Sequence, residues 1–130
     1  MATEARQTVR KYVLASRHYL ENGLLMLNSR DAGKASELLW GSVAEALQAV
    51  AVSRGTRLAN HRSLHWFVGQ LGKELNDRSI IDGFFLAEHL HSNFHEVELT
   101  VEDVAAVVEP IRNTIAKLFD LIPKELVNEP

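Results

Sequence analysis

Asp31-Ala-Gly-Lys-Ala-Ser-Glu-Leu-Leu-Trp-Gly-Ser-Val-Ala-Glu-Ala-Leu-Gln-Ala-Val-Ala-Val-Ser53 contains no proline and carries the pattern that decides the fold. Wound at ~100° per residue, it gathers Lys34, Glu37, Gly41, Glu45 and Gln48 into one narrow strip. Leu38, Leu39, Trp40, Val43, Leu47 and Val50 take most of the remaining circumference. A helix that is apolar around most of its girth has to be covered on several sides, so this segment is expected as the central rod of an all-α domain. Asp31 is its expected N-cap, because a short carboxylate there accepts an otherwise orphaned backbone N–H. Arg54-Gly55 ends it, since glycine just beyond a helix tolerates left-handed backbone.

On the N-terminal side, a helix from about Thr3 to Asn28 puts Val9, Val13, Leu20, Leu24 and Leu27 on one stripe. Ser16 and Gly23 lie on that stripe and would let a neighbouring helix come close. On the C-terminal side, a helix from about His61 to Leu75 groups Leu64, Phe67, Val68, Leu71 and Leu75. Its other face carries His61, His65, Gly69 and Gly72; mid-helix glycines cost about 1 kcal/mol each relative to alanine, so the two imply a close crossing. A fourth helix, capped by Asp77 and running to about Phe94, turns Ile80, Phe84, Ala87, Leu90 and Phe94 inward and His89 outward. Thr100-Val-Glu-Asp103 is close to a capping box and opens a fifth helix through Val104, Val107, Ile111, Ile115, Leu118 and Ile122. Pro110 removes a backbone bond and is expected to bend that helix near Ala106 to Pro110. Short connections favour antiparallel neighbours. The expectation is an all-α antiparallel up-and-down bundle of four to five helices, one domain over residues 1–122, with a flexible tail at 123–130.

Composition agrees. At 130 residues, with 46% hydrophobic and 24% charged side chains, the chain can bury a core without covalent staples. It has no cysteine, which excludes disulfides, zinc–thiolate sites and thiol nucleophiles and fits a cytoplasmic location. No apolar run approaches the ~20 residues of a membrane span, and the first residues lack a signal peptide's apolar stretch, so neither export nor membrane insertion is expected. The net charge of −3 conceals an asymmetry. Residues 1–81 hold 11 Lys/Arg against 7 Asp/Glu, and residues 82–130 hold 3 against 10. Between Glu45 and Glu74 there is no acid at all, only Arg54, Arg57, Arg62 and Lys73 with His61 and His65. Such a basic elbow would attract phosphates even on a mildly acidic protein.

The run Leu38-Leu-Trp-Gly-Ser-Val-Ala-Glu-Ala-Leu47, then Arg54-Gly55, then His61-Arg-Ser-Leu-His-Trp-Phe67, resembles the Pyrobaculum-type repeat (PaREP) family. So do Leu86-Ala-Glu-His-Leu-His-Ser-Asn-Phe-His-Glu96 and Leu99-Thr-Val-Glu-Asp-Val104, and the likeness covers roughly residues 30–120. The resemblance implies a HEPN-like helical fold, nucleotide or RNA binding, a homodimer, and in some relatives of that superfamily a nucleotidyltransferase partner. It also implies an alternative, a metal-independent endoribonuclease of toxin type, whose arginine and histidine have four to six residues between them. Arg54 and His61 have six residues between them. Gly55 follows the arginine where active enzymes carry a polar residue, and the pair comes earlier in the chain than theirs.

Three groups of residues are candidate sites. In the first, His61 would move protons and Arg54 would hold a phosphate, with Arg57 and Arg62 completing a nucleic-acid-binding surface; the same arginines also read as helix-end cations favoured by the helix dipole. The second is Glu88, His91 and His95. Glu-x-x-His is the helix spacing of two-metal bundles, but it occurs here once, so no metal and no cofactor is expected. Glu45 facing Glu88, His91 and His95 would instead form a polar pocket, or His91 would be a satisfied core histidine. The third is tryptophan: Trp40 and Trp66 read as core or interface residues ahead of ligand-stacking platforms, and because few helices are available to cover the apolar girth of the central one, a dimer interface involving Trp40 is the reading that follows.

Overall fold

The computed structural model describes residues 2–94 and 99–127, without the side chains of residues 2, 3, 93 and 94. Seven helical segments and no strand occur among the described residues: α1 (Ala2–Asn28), α2 (Ala32–Ser53), α3 (His61–Leu75), α4 (Arg78–Phe94), α5 (Val101–Ala105), α6 (Val108–Asp120) and α7 (Lys124–Val127). The expected inward side chain of Phe94, and His95, lie outside what is described. None of the helices is long and apolar enough to cross a membrane.

α2 is the central rod. It packs against α1, α3, α4, α5 and α6, and Leu39, Val43, Ala46, Leu47, Ala49 and Val50 are fully buried. Its ends follow from local chemistry. The Asp31 carboxylate accepts the Lys34 amide at 3.0 Å. At the other end Gly55 takes φ +82°, and the amides of Gly55 and Thr56 donate back to the carbonyls of Val52 and Ala51, a Schellman closure. Against α1 the crossing is tight, as the small residues imply. Buried Ser16 donates its hydroxyl to the Ser42 carbonyl at 2.7 Å, and a Cβ on Gly23 would stand 3.2 Å from Leu39.

Contact registers set the helix directions. Ser16 meets Ser42 and Gly23 meets Leu39, so α1 and α2 run oppositely. Gly72 adjoins Ile81 while His61 reaches Glu88, so α3 and α4 run oppositely too. Ser79 meets Thr114 and Gly83 meets Pro110, which orients α4 against α6. α2 and α3 depart from the up-and-down order: Trp40 stacks on His61 and Arg54 pairs with Glu74, so these two helices run the same way. Residues 54–60 carry the chain back along α2. The Gln48 side chain clips this strap by accepting the Leu58 amide at 3.1 Å and donating to the Leu58 carbonyl at 2.6 Å, and the Leu58 side chain is buried. At a maximum of ~3.3–3.6 Å per residue, an extended strap of this length can return most of the way along α2.

Two further expectations change. The capping box forms, with Thr100 and Asp103 each accepting the other's amide at 3.1 Å, but the fifth helix is broken rather than bent. α6 restarts at Val108, which puts Pro110 in its first turn, where a missing N–H costs nothing. The expected flexible tail contains α7, which packs on α1; Arg6 donates from Nε to the Glu125 carbonyl at 3.0 Å. Residues 128–130 lie outside the described set.

Asp77 joins three elements. It accepts the Ser79 amide at 2.9 Å, as the start of α4 requires, and receives Lys117 Nζ from α6 at 2.6 Å. The Lys117 and Ser79 hydrogen bonds hold its carboxyl down from 3.8 to about 2. A folded-state value below the unfolded one contributes stability that is fully present above pH 3.8 and is lost as pH falls through about 2. Acid unfolding followed by circular dichroism is therefore expected to lose part of its pH dependence between pH 3.8 and about 2 in Asp77→Asn. An unchanged acid limb would contradict this account.

Candidate functional site

The sequence places His61 and His65 one turn apart on α3, so both rings project to the same side of that helix. Across from them, α4 presents Glu88. A single carboxylate oxygen, Glu88 Oε2, meets His61 Nε2 at 2.8 Å and His65 Nε2 at closer range. The α3 N-terminus is fixed by Asn60, whose side chain accepts the Ser63 amide at 2.9 Å while Ser63 Oγ accepts the Asn60 amide at 3.1 Å. This capping box holds His61, the first helical residue, in register with Glu88.

Aromatic rings form the floor. Trp40 stacks on His61 at 5.1 Å between centroids and on His91 at 5.3 Å, and it touches the edge of Phe84 at 5.5 Å. Phe84 meets His65 edge-on at 5.0 Å. Trp40 is only 8% exposed, so of the two readings, core and dimer interface, it takes the first. The histidine rings and Phe84 occupy the side of α2 that the sequence left uncovered. His91 follows Glu88 by one turn, and its Nδ1 is buried with no hydrogen-bond partner. Beside it, Tyr19, Lys34, Glu37, Leu38, Trp40 and Gly41 line a depression of about 520 Å³.

The expected groupings are re-sorted. Arg54 does not approach His61. Both guanidinium ends of Arg54 donate to Glu74 at 2.8 Å, which raises the arginine's pKa and lowers that of Glu74, its partner in the hydrogen bonds. Glu74 is thirteen residues along α3 from His61, roughly 20 Å of helix axis. The Arg54–His61 pair required for metal-free ribonuclease chemistry is therefore separated within one chain. Glu45 is not part of the polar pocket. Five residues beyond Trp40, it points ~140° away around α2. Burial raises its pKa, and the nearby charges of Lys11 and Arg57 offset only part of that rise. Glu88 and His91 do lie together, His95 is outside the described residues, and the additional members are His61 and His65.

On the solvent side of α3, Arg62, Trp66, Gly69 and Lys73 follow one another at spacings of four, three and four, a single stripe. Trp66 is 63% exposed, and Arg62 and Lys73 are exposed as well. Gly69 faces open space, so no close crossing occurs there; that role belongs to Gly72, where a Cβ would lie 2.8 Å from Ile81 Cγ1. Arg57 is exposed on the strap. The sequence set Arg62 and Lys73 in the basic run and grouped Phe67, Val68 and Leu71 on the inward face, which is where they lie; that Trp66 joins the two cations on one exposed stripe was not drawn from it.

No curated protein matches the chain. A crystal structure of a protein from Sulfolobus solfataricus is similar, with a TM-score of 0.73 at 20% identity, over 82% of this chain and 95% of that one. At that identity the likeness concerns the fold alone. A model of the archaeal PaREP1/PaREP8 family matches residues 11–115, and the chain belongs to that family.

Proposed function

We propose that the chain is a HEPN-like, cytoplasmic accessory protein that binds single-stranded nucleic acid along the solvent face of α3. The observation that carries this reading is the stripe of Arg62, Trp66, Gly69 and Lys73, an exposed aromatic ring with a cation on either side. A base stacks on such a ring whatever its sequence, and cations roughly 16 Å apart along the helix reach phosphates on either side of it. Gly69 has no side chain to obstruct a base lying on Trp66. Arg57 and the acid-free run between Glu45 and Glu74 extend the positive field. Binding alone is supported over ribonuclease activity, because Arg54 and His61 engage different carboxylates at opposite ends of α3.

The chain has two tryptophans, one exposed and one buried, so fluorescence reports the event directly. Addition of single-stranded RNA is expected to quench Trp66 and leave Trp40 emission, with quenching lost in Trp66→Phe. Trp66→Ala should weaken binding by about 1–3 kcal/mol. Arg62→Ala should weaken it and reduce the dependence of log affinity on log salt by about 0.7. Affinity indifferent to salt and to both substitutions would overturn the reading and favour a protein-binding module, such as one paired with a nucleotidyltransferase.

A further inference from the structure

We infer that His61, His65 and Glu88 form a binding site for a divalent transition-metal ion of the zinc class. The ligand atoms of all three lie within 4.8 Å of one another. They come from two helices and converge on one point. Zinc takes imidazole nitrogen and carboxylate oxygen at about 2.0–2.2 Å, which sets ligand atoms roughly 3.3 Å apart around a tetrahedral ion. His61 and Glu88 already stand at 2.8 Å, so small side-chain rotations admit the ion between them. A set of two imidazoles and one carboxylate suits zinc, cobalt, nickel or copper; magnesium and calcium require more oxygen.

The surroundings hold the rings in place before any ion arrives. Trp40 stacked on His61 and the edge of Phe84 against His65 restrict both imidazole planes, and the Asn60–Ser63 box fixes the helix end that carries them. Access is open, because the side chains of His61 and His65 are 47% and 39% exposed while Glu88 is 19% exposed behind them. A second observation points to the same place. His91 lies 6.0 Å from His61 between ring centroids, and its buried Nδ1 lacks a partner. A buried ring nitrogen left unpaired is destabilising. An ion with three protein ligands keeps a position for water, and an ordered water beside the cluster is the kind of partner that this nitrogen lacks. This site differs from the single-helix Glu88-x-x-His91-x-x-x-His95 set, which lacked a second helix's contribution. It uses the side of α3 facing α4, and its success or failure is independent of nucleic-acid binding by the Trp66 stripe.

The test is calorimetric titration of chelator-treated full-length protein with Zn²⁺ alone, alongside thermal melts with and without the ion. One ion per chain is expected, with a melting temperature that rises on addition. Glu88→Gln keeps a hydrogen-bond acceptor for the imidazoles and so preserves the fold, yet it should lower affinity by at least about a hundredfold, as should His65→Ala, because even an outer-shell partner is worth about 10–100-fold. His18→Ala, at a histidine bonded only to Asn22 among the described residues, should change nothing. Absence of saturable zinc binding by the wild-type chain overturns the inference. So does undiminished binding by folded Glu88→Gln, or loss of binding in His18→Ala.

Discussion

Gly83→Ala is expected to be among the most damaging single-methyl additions in the chain, lowering stability by about 3 kcal/mol. A Cβ at Gly83 would overlap the Thr114 hydroxyl, stand 2.8 Å from Thr114 Cβ, and lie 3.2 Å from the Pro110 carbonyl. Neither obstacle yields easily. Thr114 is fully buried, β-branched and tied by its hydroxyl to the Ser79 carbonyl at 3.3 Å, and Pro110 presents backbone. Relief would require α4 and α6 to move apart. In a thermal melt the loss corresponds to a drop on the order of 10 °C. The same substitution at Gly69 should raise stability by about 0.5–1 kcal/mol, because alanine there enters open space and gains helix propensity. Equal effects at the two positions would refute the packing account.

Phe84→Ala should cost about 3–5 kcal/mol, the range for emptying a fully buried aromatic position. Its consequences should exceed stability, because Phe84 touches both Trp40 and His65. Phe84→Leu offers the sharper experiment: it fills most of the volume and costs less, but it removes the ring edge that restrains His65. Folded Phe84→Leu is expected to bind zinc more weakly than wild type while retaining RNA quenching of Trp66. Unaltered zinc affinity would mean that Phe84 supports the core without positioning the imidazole.

What the sequence made legible was local. Asp31, Gly55 and the Thr100–Asp103 box act within about four residues of themselves, and each does in the structure what its chemistry implies. The girth of α2 was legible too, since Leu39, Val43, Leu47 and Val50 announce burial by their spacing alone. The direction of α3 was not. It depends on Gln48 gripping Leu58, a pairing of a polar side chain with a distant backbone that periodicity does not encode. The same limit explains the site. His61 and His65 share a face by spacing, but Glu88 is 23 residues beyond His65, and only the α3–α4 hairpin brings it there. Trp40 was expected at a subunit contact because too few helices seemed available to cover it; imidazole rings do the covering.

The strap held by Gln48 works as a ruler. Its residue count, more than its chemistry, decides where α3 begins relative to α2, and so whether the first imidazole arrives over the indole. Any relative that preserves the histidine–carboxylate centre is free to vary the side chains between Gly55 and Asn60 but must conserve the length of that interval. An indel of one residue there would slide the helix by about 3 Å and disassemble the centre while leaving the hydrophobic pattern of every helix intact.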